Sequence, residues 1–158
     1  MKIERGDNEL FAKAKDSALH YLAYRSRTRK EIVNKLREYP DDVVDDVIVM
    51  LEKYGYINDF EFAQCYVQSR VRNKGYGKIR LEGELREKGV ETGIIDTVLS
   101  ELDFDEVAAA VQKLRRKAIG AFTEKDMKRY SDYLTRQGFG YDVIKQAFSA
   151  LRTQSCDK

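Results

Sequence analysis

A repeat in the apolar positions constrains this chain more than any other feature. Leu36, Leu85 and Leu134 lie 49 residues apart, as do Gly89 and Gly138, Ile94 and Val143, and Leu102 and Leu151. Within each period the apolar residues fall into three groups spaced at three and four residues, the signature of buried helical faces. The first set is Leu10, Phe11, Ala14, Ala18, Leu19 and Leu22, then Ile32, Val33 and Leu36, then Val43, Val44, Val47, Ile48 and Leu51. The second is Phe60, Ala63, Tyr66 and Val67, then Ile79, Leu81 and Leu85, then Ile94, Ile95, Val98, Leu99 and Leu102. The third is Val107, Ala108, Val111 and Leu114, then Met127, Tyr130 and Leu134, then Val143, Ile144, Ala147, Phe148 and Leu151.

A period of this length with three helices per unit implies a helical array in which each unit covers apolar surface of its neighbour. The expected fold is all-α: three tandem three-helix repeats forming an elongated, curved array of either hand. The expected organisation is a polar leader 1–8, repeats at 9–58, 59–103 and 104–152, and a polar tail 153–158. Thr28 with Glu31 three residues on reads as a capping box that starts a second helix. Pro40 stops that helix, and the following Asp41 and Asp42 suit the positive end of a third. Composition agrees with helix, with one proline, no tryptophan and much Ala, Leu, Glu, Lys and Arg.

Charge follows the same period. Although 29 basic and 27 acidic side chains leave a net charge of only +2, residues 25–37 carry a local +5, 38–61 a local −7, 70–88 a local +4, 91–106 a local −6 and 113–129 a local +5. Stacking brings equivalent positions into line, so these runs predict a basic ridge and a separate acidic one. The candidates for contact with a nucleic-acid backbone or an acidic protein groove are Arg25, Arg27, Arg29, Lys30, Arg70, Arg72, Lys74, Lys78, Arg80, Lys113, Arg115, Arg116 and Lys117. Contacts of this kind bind backbone and fix register without reading base sequence.

Other motifs carry less. Gly75-Tyr76-Gly77-Lys78 has two glycines before a helix, but neither Walker spacing nor a Lys-Ser/Thr ending, so it reads as a helix corner rather than a nucleotide loop. Tyr21, Tyr24, Tyr54, Tyr56, Tyr66 and Tyr76 have spacing that favours packing over base stacking. Cys65, at an apolar position, and Cys156, in the tail, read as reduced thiols. His20 stands alone, and the Asp41, Asp42, Asp45 and Asp46 group sits where a helix start wants carboxylates. No nucleophile, base or acid pair is recognisable, so neither an enzyme nor a cofactor is expected. The N-terminus lacks an apolar signal region and no stretch is long enough to span a bilayer, giving the expectation of a cytoplasmic protein.

The stretch from Tyr54 to Val90 resembles the signature region of the RecX family, bacterial regulators of the RecA recombinase. The resemblance rests on Tyr-Gly-Tyr-Ile-Asn-Asp at 54–59, Phe62-Ala63, Arg70, Lys-Gly-Tyr-Gly at 74–77, Ile79-Arg80, and Glu84-Leu85 through Lys88-Gly89-Val90. It extends to Ala23–Leu36 and to Phe122–Gly138, and departs from the family pattern at Pro40, which replaces a glycine-ended turn. It implies a monomeric three-repeat helical protein that binds RecA, lodges in the groove of the RecA filament on single-stranded DNA, and restrains filament growth, ATP hydrolysis, strand exchange and co-protease activity. No cofactor or catalytic residue comes with it. Direct contact with single-stranded DNA stays open, as do two other readings, a stand-alone nucleic-acid-binding helical module and a scaffold for acidic proteins.

Overall fold

The structure, a computed structural model, describes residues 5–117 and 123–155. Phe122, Cys156 and the first residues of the leader lie outside the described residues. Among those described there are nine α-helices and no strand: α1 (Arg5–Leu22), α2 (Arg29–Lys35), α3 (Asp41–Lys53), α4 (Asp59–Lys74), α5 (Lys78–Glu87), α6 (Thr92–Glu101), α7 (Glu106–Lys117), α8 (Glu124–Arg136) and α9 (Tyr141–Ser155).

The helix ends follow local chemistry. Thr28 and Glu31 form the expected capping box at α2, and Pro40 is the N-cap of α3, with Asp41 and Asp42 in its first turn. A second capping box, Thr123 with Asp126, starts α8. Three helices end in the same device. The amides of Tyr56, Val90 and Phe139 donate to the carbonyls of Leu51, Leu85 and Leu134, while those of Gly55, Gly89 and Gly138 donate three residues back. Each of these glycines has positive φ, the left-handed conformation that closes a Schellman turn. The residues just beyond, Ile57, Val90 and Phe139, are buried, a role their place outside the helical periodicity conceals.

The described chain divides into two compact units, one of residues 5–65 with 85–98, the other of 66–84 with 99–117 and 123–155. In the first, Ala14 and Ala18 of α1 are fully buried against a core of Ile32, Leu36, Val43, Val44, Val47, Ile48, Leu51 and Ile57. Small residues one turn apart let α1 approach α3 closely. In the second, Ala110, Val111 and Leu114 of α7 meet Tyr130 and Leu134 of α8, Phe139, and Ile144, Ala147 and Phe148 of α9.

Several expected core positions lie outward. Ile79 is 59% exposed, Val33 and Phe60 lie near the margin, Ala108 is exposed while Ala110 takes the buried place, and the Cys65 thiol is exposed. Ile79 and Val33 lie in short second helices that rest on glycine corners, so fewer of their positions are covered by a flanking helix. Of the tyrosines, Tyr24, Tyr54 and Tyr56 are largely exposed rather than packed into a core, against expectation, although Tyr24 meets the His20 ring edge-on.

One joint recurs in both units. In the first, the Thr28 hydroxyl donates to the Lys88 carbonyl at 2.7 Å, and the Arg29 amide donates to Asp59 Oδ1 at 2.9 Å. In the second, 49 residues on, the Gly77 amide donates to the Gln137 carbonyl at 2.9 Å, the Ile79 amide to the Gly138 carbonyl at 3.1 Å, and the Lys78 amide to Glu106 Oε1 at 2.8 Å. Thus the start of a second helix rests on the glycine corner that ends the next second helix, and the first residue of a following helix caps it. Contact is close: a Cβ on Gly77 would lie 2.2 Å from the Gly138 carbonyl oxygen, and one on Gly138 would lie 2.3 Å from Arg80 Cβ.

This tightness gives a paired expectation. Gly77→Ala forces backbone against backbone and should cost at least about 1–3 kcal/mol. Gly83→Ala, inside α5 with nothing within 4 Å of the added Cβ, should stabilise by about 0.5–1 kcal/mol. Urea unfolding of both variants checks the opposite signs.

Candidate functional site

The amides of the Lys-Gly-Tyr-Gly corner settle the reading of that motif. Gly77, Lys78 and Ile79 direct their N–H groups to the Gln137 carbonyl, the Glu106 carboxylate and the Gly138 carbonyl, leaving none of the three free for a bound phosphate. The corner organises side chains instead. Tyr76 lies beneath the Arg80 guanidinium, 3.7 Å from ring centroid to guanidinium carbon, and Lys113 Nζ is 5.8 Å from the same ring. Lys113 also donates to the Lys74 carbonyl at 2.7 Å and to Gln137 Oε1 at 3.1 Å, tying α7 to the end of α4. Burial, then the neighbouring charges of Arg116, Arg80 and Lys117, hold the Lys113 amine below its usual pKa, as expected where cations crowd.

A single carboxylate orders the other side of this group. Glu84 accepts from the Tyr66 hydroxyl at 2.8 Å, pairs with Arg80 at 3.1 Å and pairs with Arg70 at 3.4 Å. The Arg70 guanidinium also lies over the Tyr66 ring. Burial first, with the Glu84 charge adding to it, pushes the Tyr66 phenol upward, so it stays a protonated donor to Glu84. Arg70 and Arg80 are therefore held, whereas Arg72, Lys74 and Arg116 are exposed and make no ion pair among the described residues. Lys117 is exposed above the Tyr133 ring at 4.2 Å, Lys78 is half-buried, and Arg115 is exposed on α7. The second unit thus gathers nine of the thirteen sequence candidates at the ends of α4 and α7 and the start of α5.

The remaining four lie in the first unit and are mostly paired. Arg25 donates to Glu31 at 2.9 Å, Arg29 pairs with Glu52 at 3.1 Å, and Lys30 is exposed with its stem against Gly89. Arg27 turns inward: its guanidinium lies 3.8 Å over Tyr21, its side chain is 13% exposed, and its buried Nε has no hydrogen-bond partner. Its Nη1 lies 4.0 Å from Glu31 Oε1, so this cation is held inward. Glu31 is the hub here, also receiving Lys88 at 3.9 Å. Burial alone would raise its pKa, but the Thr28 amide, Arg25 and Lys88 together hold it below the usual 4.5.

Of the pairing partners, Glu31 was legible only as a helix cap and Tyr66 and Tyr76 only as packing tyrosines; Gln137 gave no signal, and Glu84 only its place four residues from Arg80 on a helix. Among the described residues no group of three or more His, Cys, Asp or Glu is placed to hold a metal ion, and no helix is long and apolar enough to cross a membrane.

A depressed carboxylate pKa stabilises the fold above the unfolded value and loses that contribution as pH falls through the folded one. Glu31→Gln should cost about 1.5–3 kcal/mol at pH 7, the range for hydrogen bonds to a charged group. The difference should shrink as pH drops below 4.5, which urea midpoints at pH 7 and on the acid side would reveal.

Comparison with known proteins matches residues 14–51 to a family model described as RecX, first three-helix domain, and residues 58–99 to RecX, second three-helix domain. A regulatory protein RecX of Mycolicibacterium smegmatis is 40% identical over 145 residues, covering 83% of this chain and 77% of that protein. One of Bacillus pumilus is 35% identical, covering 82% of this chain; the chain spans 52% of that relative's length. The crystal structure of RecX from Lactobacillus salivarius superposes with a TM-score of 0.83 at 25% identity, covering 92% of this chain and 99% of that one.

Proposed function

This chain belongs to the RecX family, and on that premise we propose that it is a regulator that binds the RecA recombinase and its filament on single-stranded DNA. In this reading it restrains filament growth, ATP hydrolysis, strand exchange and co-protease activity in the cytoplasm, acting as a monomer and as a binder rather than a catalyst. The three repeats are taken as 9–58, 59–103 and 104–152.

One observation carries the reading at the level of residues. Arg72, Lys74 and Arg116 are exposed cations that no carboxylate among the described residues answers, beside Lys113, Lys117 and the stacked Arg80. Such a group costs self-repulsion in the free protein, which an anionic partner relieves. Arginine among them supplies forked donors for phosphate or carboxylate. Holding Arg80 on Tyr76 removes part of the entropy otherwise lost on binding. The paired cations of the first unit, Arg25 and Arg29, are weaker candidates, because each must first leave Glu31 or Glu52.

Charge reversal at Arg72, Lys74 and Arg116 together should weaken inhibition of the RecA ATPase on single-stranded DNA by tenfold or more, with circular dichroism unchanged. The same reversal at Arg25 should do less. Any affinity for free DNA should fall with salt by about 0.7 in log K per log salt for each single-strand phosphate neutralised. Unchanged inhibition by the triple variant would remove this contact. Equal loss of binding to free DNA and to the filament would favour a stand-alone nucleic-acid module.

A further inference from the structure

The first unit carries a surface of opposite sign whose purpose the cation groups do not explain. Along α3, Asp42, Asp46, Val49 and Lys53 follow one another at four, three and four residues, so they form one stripe of the helix. Asp42 and Asp46 are exposed, as an outward stripe should be. Val49 breaks the pattern: it is 63% exposed where a polar residue is expected. Tyr54 beside it is 66% exposed.

These are not scattered apolar atoms. Val49 and Tyr54 join Phe11 and Met50, both lying against the core, in a groove of about 720 Å³ between α1 and the outer side of α3. Among the described residues Asp7, Asp42 and Asp46 supply its carboxylates and Lys53 its ammonium, which sits 5.8 Å from the Tyr54 ring centroid. An apolar floor with an acidic rim repels nucleic acid and suits a cation carried next to an apolar side chain.

We propose that this groove docks a segment of another protein in which an apolar side chain seats over Val49 and Tyr54 while flanking Lys or Arg side chains meet Asp7, Asp42 and Asp46. The choice of occupant rests on charge: among the described residues, three carboxylates and one ammonium line the groove, an excess of negative potential that a basic segment satisfies. The surface uses none of the thirteen cations above, so it stands or falls separately from the reading of those cations.

The test follows backbone amide resonances of the whole chain during titration with three probes: a short synthetic amphipathic helix of Leu with Lys and Arg, the same helix with Glu in place of the cations, and an oligo-dT strand. The basic helix should shift Val49, Met50 and Tyr54, and Asp42→Lys with Asp46→Lys should weaken it about tenfold. Val49→Lys, which leaves the start of α3 untouched, should produce a similar loss. The proposal is overturned if the basic helix leaves these residues unmoved, if the Glu helix binds as well, or if oligo-dT shifts them. Shifts that grow with protein concentration alone would also overturn it, assigning the groove to a second copy of the chain.

Discussion

The first backbone N–H groups of a helix have no partner within the helix, and this fold depends on where those of the second helices go. In α2 the Arg29 amide goes to Asp59 and the Glu31 amide to Thr28; in α5 the Lys78 amide goes to Glu106, with Gly77 and Ile79 reaching the carbonyls of the Gln137–Gly138 corner. A short second helix therefore borrows its cap from the following helix and rests on the following corner. Isolated helices of seven to ten residues are marginal in water. Borrowed caps and covered faces are what make them persist. Asp59 bears the cost of this role, since burial raises its carboxyl while the Arg29 amide pulls the other way.

The same joint positions the charged side chains. Because Gly138 admits Arg80 without a Cβ in between, the Arg80 guanidinium can lie on Tyr76 and still reach Glu84 and the Arg136 carbonyl. Exposed ion pairs contribute about 0–1 kcal/mol and a half-exposed cation over a ring about 0.5–2. No single contact here is strong. Their effect is to fix which cations are held and which stand open, with Arg70, Arg80 and Arg27 in the first group and Arg72, Lys74 and Arg116 in the second.

Much of the fold was legible because a 49-residue period repeats apolar positions that three-helix packing needs. Leu36, Leu85 and Leu134 are all fully buried, and the Thr28 box and Gly89 corner sit where the sequence puts them. Periodicity missed Ile57, Val90 and Phe139, since Schellman turns bury residues lying past the helix end. It also misplaced Ala108, whose neighbour Ala110 takes the buried place, and Ile79, which a short helix leaves without flanking cover. Of the candidate site, the cations were visible from charge runs, but their sorting was not. Whether an arginine is offered or tied down depends in part on carboxylates distant in sequence, as with Arg29 and Glu52 or Arg70 and Glu84, and in part on rotamers that spacing does not fix.

Lysine acetylation footprinting of the whole chain, read by mass spectrometry with and without RecA filaments on single-stranded DNA, tests the proposed contact most directly. It predicts that Lys74 and Lys117 lose reactivity on binding while Lys13, paired with Glu9 on α1, and Lys145 on α9 keep theirs. Protection of Lys13 or Lys145 with Lys74 and Lys117 still reactive would contradict it.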